Sequence, residues 1–182
     1  MVQKAQNGAE FFTTQLFYSA EGMIRLLQDY RDESERQGLA PKRVILSVAP
    51  IPSKAVLKVI ETLLGRKVER EVVDYIFSNV TGRGIRSMEL VETMLRQVFD
   101  YCYGNDLRIP LGISVGHITE GNFRFAFELL HSLPEISMAS LPILLRTLSI
   151  NFAIIIISEL PIPLVVRAGV PILIPLVTNG LL

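Results

Sequence analysis

Short apolar segments alternate with longer amphipathic segments along the first two thirds of the chain. Residues 10–17, 43–48 and 111–115 are rich in aromatic and β-branched types and predict three buried strands. Apolar residues at three- and four-residue spacing predict helices that begin near Ala20, Ser53, Glu69, Ser87 and Thr119. The predicted order is therefore β, α, β, α, α, α, β, α.

This alternation of strands and helices is typical of an α/β protein with parallel strands. Such a sheet is either doubly wound or part of a closed (β/α)8 barrel, and the pattern alone leaves both open. A complete TIM barrel takes about 250 residues. We therefore expect this chain to hold a partial TIM (β/α)8 barrel if it holds a barrel at all.

The carboxyl ends of the strands are where parallel α/β proteins bind ligands. Gln15 lies near the end of the first predicted strand, and its carboxamide suits a heterocycle with adjacent donors and acceptors, such as a pterin. The alternative is a structural glutamine that is buried and hydrogen-bonded. His117 follows the third strand and is a weaker candidate for substrate binding, its alternative being a hydrogen-bonded loop histidine.

Other reactive residue types give weaker signals. Thr119 is interpreted as a helix cap, and Cys102, the single cysteine, as a small core residue. Two histidines and one cysteine do not make a metal site at any usual spacing, so no metal is predicted. The sequence 82–84 (GRG) lacks the preceding strand and the remaining glycines of a phosphate loop.

Composition narrows the class of protein. The 182 residues carry 18 Lys and Arg against 18 Asp and Glu, and this zero net charge argues against a nucleic-acid binder. A lone cysteine favours a reducing compartment, and the first thirty residues lack the apolar run of a secretory signal. The expected location is the cytoplasm.

The charge is distributed unevenly, which predicts two unlike parts. Residues 134–182 carry four charged side chains and six of the ten prolines. We interpret residues 1–133 as the α/β part and residues 134–182 as an apolar, proline-rich C-terminal tail of uncertain structure. The uncharged run after Arg167 is fifteen residues long. As a helix it would be about 22 Å long, short of the roughly 30 Å hydrocarbon core, so a membrane span is not favoured.

One segment resembles a known family. Residues 8–18 (GAEFFTTQLFY) strongly resemble a strand motif of the methylenetetrahydrofolate reductase family. Residues 43–51 (RVILSVAPI) are similar to the next strand and its proline-containing loop, and residues 109–133 to the closing strand and helix. The resemblance covers residues 1–133 and corresponds to the C-terminal part of that family's barrel.

The resemblance implies a flavoprotein of one-carbon metabolism. In that family FAD takes hydride from NADH or NADPH and reduces 5,10-methylenetetrahydrofolate to 5-methyltetrahydrofolate. Gln15 matches the family's folate-contacting glutamine. The family's catalytic glutamate and most flavin contacts come from strands before the matched segment, so the resemblance implies no catalytic residue in this chain. Asn122 stands where an arginine is expected.

Three functions follow as alternatives. The chain is part of a methylenetetrahydrofolate reductase with FAD and NAD(P)H as cofactors, and is not expected to catalyse alone. It is a non-catalytic module that binds folate or pairs with a complementary half-barrel or another copy. Or it is a membrane-associated interaction protein that acts through its tail. The donor nucleotide and the oligomeric state are not determined by the sequence.

Overall fold

The computed structural model of the 182-residue chain describes residues 1–139 and 153–157. It is an α/β fold with a parallel sheet and helices, and the predicted order of three strands and five helices from residue 10 to residue 139 is confirmed. The elements are α1 (Val2–Gln6), β1 (Phe11–Thr13), α2 (Ala20–Arg36), β2 (Arg43–Val48), α3 (Lys54–Leu64), α4 (Arg70–Phe77), α5 (Arg83–Gly104), β3 (Leu111–Ile118), α6 (Phe123–Ala139) and β4 (Ala153–Ile157).

The four strands form one sheet in the order in which they occur along the chain. Every neighbouring pair is parallel, with Thr13 opposite Ile45 and Val48 opposite Val115. Crossovers between parallel strands are right-handed, so strands that follow one another in sequence order place their connecting helices on one face. A doubly wound sheet reverses its strand order, and no reversal occurs among the described strands.

Packing on the sheet agrees with this topology. One face of β2 and β3 forms a single buried cluster with the apolar sides of α2, α5 and α6. The strand residues of this cluster are Val44, Leu46, Val48, Leu111, Ile113, Val115 and Ile118. Because side chains alternate along a strand, Ile45, Ser47 and Ser114 point to the opposite face. The helices of the main core therefore cover one side of the sheet.

Helices α3 and α4 belong to a second, smaller core beyond the carboxyl ends of β1 and β2. Val56 and Ile60 of α3 pack there with Leu16 from the loop after β1 and Ile51 from the loop after β2. Ser53 caps α3 by accepting a hydrogen bond from the Val56 N–H at 3.2 Å, as the sequence predicts. This second core fixes the loops at the edge of the sheet where ligands bind in parallel α/β proteins.

Several predicted bounds are wrong. The strand predicted over residues 10–17 is only Phe11–Thr13, and the helix predicted to begin at Ser87 begins at Arg83, after Gly82 with φ 74°. β3 continues to Ile118 and so includes His117. The residue that directly precedes α6 is Asn122 and not Thr119.

The predicted tail lies mostly outside the described residues. Helix α6 runs across the predicted boundary at residue 134, and residues 153–157 of the tail form β4, which pairs with β3. In the part of the chain that the structure describes, no helix is long and apolar enough to cross a membrane.

Candidate functional site

The candidate site is at the carboxyl end of β1. The strand stops at Thr13. The chain leaves the sheet there because the side chain of Thr14, and not a backbone carbonyl, accepts the next hydrogen bond from β2. The Thr14 N–H donates to the Ile45 carbonyl at 2.9 Å, while its Oγ1 accepts from the Ser47 N–H at 2.9 Å. Gln15 is the first residue beyond this junction.

Gln15 is exposed, not buried within a strand. The expectation of a buried amide is therefore wrong, and so is its alternative of a buried structural glutamine. The physical reason is the early end of β1, which is set by a bond between Thr14 and another strand. An exposed carboxamide keeps its donors and its acceptor available for a ligand.

Buried anchors fix the loop on the far side of Gln15. Leu16, Phe17 and Tyr18 are 3%, 7% and 5% exposed. The Tyr18 hydroxyl donates to the Ala49 carbonyl at 2.9 Å, which ties the loop after β1 to the loop after β2. Burial raises the pKa of Tyr18 far above its ordinary value, so the phenol stays neutral and remains a donor. Gln15 therefore stands on a loop that is held at both ends.

An open pocket of about 490 Å³ lies beside Gln15. Its walls are the loop after β1, the first turns of α2, and the loop between α3 and α4. The lining residues are Thr14, Gln15, Leu16, Phe17, Tyr18, Ser19, Gly22, Met23, Leu26, Arg66 and Glu69. The pocket thus combines apolar walls with one amide, three hydroxyls and one pair of opposite charges.

The charged pair comes from the loop between α3 and α4. Arg66 Nη1 lies 3.0 Å from Glu69 Oε1, and the two side chains are 54% and 39% exposed. This pair was not predicted as part of a site. The sequence gives no signal for it, because Arg66 is about fifty residues from Gln15 and reaches it only through the packing of the second core.

His117 lies in a strained part of β3 and not in this pocket. It has φ 51°, in the left-handed region, and β3 shifts its register against β4 between Val115 and Ile118. Its side chain is half-buried, and it is not among the residues that line the Gln15 pocket. The structure therefore places Gln15 and His117 at the same edge of the sheet without bringing them into one cavity.

Asn122 has a structural role at this edge that the sequence interpretation missed, since it was considered only as the replacement of an expected arginine. It is 0% exposed, and its Oδ1 accepts from the Thr119 N–H at 2.7 Å. Its Nδ2 donates to the carbonyls of His117 at 3.2 Å and Pro50 at 3.4 Å. One side chain therefore joins the end of β3 to the loop after β2. The local signal was an asparagine directly before a helix, a residue type favoured at that position.

The other reactive residue considered in the sequence, Cys102, lies outside the candidate site. Cys102 is buried in the main core, as predicted, and burial raises its pKa to about 11. Within the described residues there is no group of His, Cys, Asp and Glu side chains that could hold a metal ion. The Gln15 pocket is thus suited to binding through hydrogen bonds, one ion pair and apolar contact.

The comparisons with known proteins agree with the fold. No family model and no curated protein matches the sequence. A solved structure has a similar fold: the uncharacterized protein from Clostridium thermocellum that binds two copies of 5-methyl-5,6,7,8-tetrahydrofolic acid. The TM-score is 0.61 at 19% sequence identity, and the match covers 72% of this chain. The chain spans 46% of the length of that protein, so the likeness shows a shared fold over less than half of it.

Proposed function

We propose that this chain binds a reduced folate at the carboxyl end of β1, with Gln15 as the contact to the pterin ring. The observation that carries the proposal is the position of Gln15: an exposed carboxamide on a loop fixed at both ends, facing an open pocket. A pterin presents donors and an acceptor along one edge, and a planar carboxamide can pair with that edge. Leu16, Phe17 and Met23 provide apolar wall beside it.

Two further observations support the ligand class. The segment 8–18, which contains Gln15, resembles the folate-contacting strand of the methylenetetrahydrofolate reductase family. One structural neighbour of this chain is a protein that binds 5-methyl-5,6,7,8-tetrahydrofolic acid. The two observations have different origins, since one rests on a short motif and the other on the path of the backbone.

In this proposal the sheet is a portion of a (β/α)8 barrel. Strands in sequence order, with the helices of the main core on one face, are the arrangement found in barrels. The face that carries Ile45, Ser47 and Ser114 is then the side toward the barrel axis. The Gln15 pocket lies at the carboxyl end, where barrels bind their ligands.

A second candidate function is flavin-dependent reduction of 5,10-methylenetetrahydrofolate by NAD(P)H, favoured by the segment 8–18. FAD carries a pyrophosphate, which proteins hold with the backbone N–H groups of glycine-rich turns. The described residues do not fit this group at Gly84, in the first turn of α5, because a Cβ there would lie 2.1 Å from Cζ of Phe125. This glycine makes room for a ring of α6 and not for a phosphate.

Calorimetric titration with 5-methyltetrahydrofolate tests the proposed function. We expect saturable binding to the full chain, weakened about tenfold in Gln15→Ala, because two hydrogen bonds of about 0.5–1.5 kcal/mol each are lost. The matched control is Gln97→Ala, which removes an exposed glutamine on α5 outside the pocket and should leave the affinity unchanged. Equal affinity in wild type and Gln15→Ala would contradict the assignment of Gln15.

The absorption spectrum of the purified protein, with and without added FAD, tests the second candidate. Flavin bands that stay with the protein on gel filtration, together with oxidation of NADH or NADPH that depends on FAD and folate, would support the reductase. A colourless protein that still binds 5-methyltetrahydrofolate would leave folate binding as the function of this chain.

A further inference from the structure

The loop that carries Arg66 is built to hold one conformation. Helix α3 ends at Gly65, whose φ of 64° is in the left-handed region and turns the chain sharply. Val68 is 5% exposed and is anchored in the second core. Glu61 accepts from the Val68 N–H at 3.3 Å and from Lys67 Nζ at 2.6 Å. Arg66 therefore projects from a loop fixed on both sides.

This loop places Arg66 on the pocket that Gln15 lines. Of the described residues that line it, only Arg66 and Glu69 carry charge. A guanidinium has five N–H donors, and Glu69 Oε1 at 3.0 Å uses part of them. The remaining N–H groups of Arg66 can therefore donate to a second carboxylate while Glu69 stays nearby.

We propose that Arg66 recognises the carboxylate-bearing tail of the folate, and that Glu69 weakens this contact. The inference rests on the proposed function, since it concerns the same pocket. A folate consists of a pterin, an aminobenzoyl group and a glutamate with two carboxylates. With the pterin at Gln15, the glutamate carboxylate meets Arg66 on the loop between α3 and α4, where Glu69 competes for the guanidinium and repels the incoming negative charge.

Two ligands distinguish the contribution of the folate tail to binding from that of the pterin. The full chain is titrated with 5-methyltetrahydrofolate and with 6-methyltetrahydropterin, which lacks the aminobenzoyl-glutamate. In Arg66→Gln we expect about fivefold to tenfold weaker binding of 5-methyltetrahydrofolate and an unchanged affinity for the pterin. The matched control is Arg70→Gln, an exposed arginine paired with Asp74 outside the pocket, which should change neither affinity.

Glu69→Gln should change the affinity for 5-methyltetrahydrofolate in the opposite direction. Removing the carboxylate frees the guanidinium and removes the repulsion, so 5-methyltetrahydrofolate should bind about threefold tighter while the pterin is unaffected. A purely structural role of the ion pair would instead weaken binding of both ligands in both variants. Thermal melting of each variant checks that the fold is retained.

The outcomes separate the inference from the proposed function. If wild type binds both ligands and Arg66→Gln leaves the affinity for 5-methyltetrahydrofolate unchanged, the role of Arg66 is refuted while folate binding stands. If wild type binds neither ligand, both proposals are refuted. If the difference between wild type and Arg66→Gln disappears at about 0.5 M salt, the contact is electrostatic, as proposed.

Discussion

Replacing Asn122 by alanine tests how the carboxyl edge of the sheet is held together. The side chain makes two well-formed hydrogen bonds, from the Thr119 N–H at 2.7 Å and to the His117 carbonyl at 3.2 Å. Two longer ones come from Thr119 Oγ1 at 3.3 Å and go to the Pro50 carbonyl at 3.4 Å. All are lost in Asn122→Ala. The site is 0% exposed, so in the absence of rearrangement water does not replace them.

The expected loss in the free energy of unfolding is about 2–3 kcal/mol, because buried partners left without a hydrogen bond cost about 1–3 kcal/mol. In a urea titration this corresponds to a midpoint lower by about 1 M. The matched control is Asn105→Ala, whose side chain donates one hydrogen bond, to the Tyr101 carbonyl at 2.8 Å, in an exposed position. We expect the control to change stability by about 0.5 kcal/mol or less.

A second substitution at the same residue tests whether the carbonyls of His117 and Pro50 need a donor. Asn122→Asp keeps an acceptor for the Thr119 N–H but turns a carboxylate oxygen toward the carbonyls of His117 and Pro50. We expect it to destabilise the protein at neutral pH more than alanine does, and to recover as the carboxyl is protonated at low pH. A midpoint for Asn122→Ala within about 0.2 M of wild type would refute the reasoning.

Two other predictions concern the core. In Gly84→Ala the new Cβ would lie 2.1 Å from Phe125 Cζ, so the ring has to move, and denaturant titration should show a loss of about 1–3 kcal/mol; a neutral result would refute the close packing of α5 on α6. Burial raises the pKa of Cys102 from 9.0 to about 11, so its stabilising contribution is complete below pH 9 and is lost as the pH rises toward 11, where the unfolded thiol ionises first. Between pH 9 and pH 11 the free energy of unfolding of Cys102→Ala should fall by about 2 kcal/mol less than that of wild type, and parallel pH profiles would contradict this.

Features set by local sequence were predicted well. Ser53 marks the start of α3 as expected, because an N-cap serine acts within one helical turn. The buried strand Arg43–Val48 was predicted with its observed bounds, since a continuous apolar run between turn residues has few other interpretations.

Features that depend on contacts between residues far apart in the sequence were not predicted. The end of β1 depends on Thr14 Oγ1 accepting from Ser47, which no local pattern of residues 10–17 encodes. The apolar run at residues 16–18 is buried, as expected, but Leu16 and Tyr18 pack in the second core instead of continuing the strand. The same shift exposes Gln15.

The order of the strands in the sheet also needed the structure. Alternating strands and helices fit a doubly wound sheet and a barrel equally, since both are built from right-handed crossovers. The structure adds the order of the described strands, which lacks the reversal of a doubly wound sheet, and the single face covered by the main core; the barrel itself is part of the proposed function. β4 was missed because residues 134–182 were interpreted as one apolar tail, although residues 153–157 (AIIII) are mostly β-branched, a composition typical of a buried strand.

The most direct test of reduced folate binding at Gln15 is the side-chain amide signal of Gln15 in a 1H–15N NMR spectrum recorded during titration with 5-methyltetrahydrofolate. We expect the two Gln15 amide protons to shift with saturation, while those of Gln97, which lies outside the pocket, stay in place. Saturable binding that moves other resonances and leaves the Gln15 amide unchanged would contradict the proposed site.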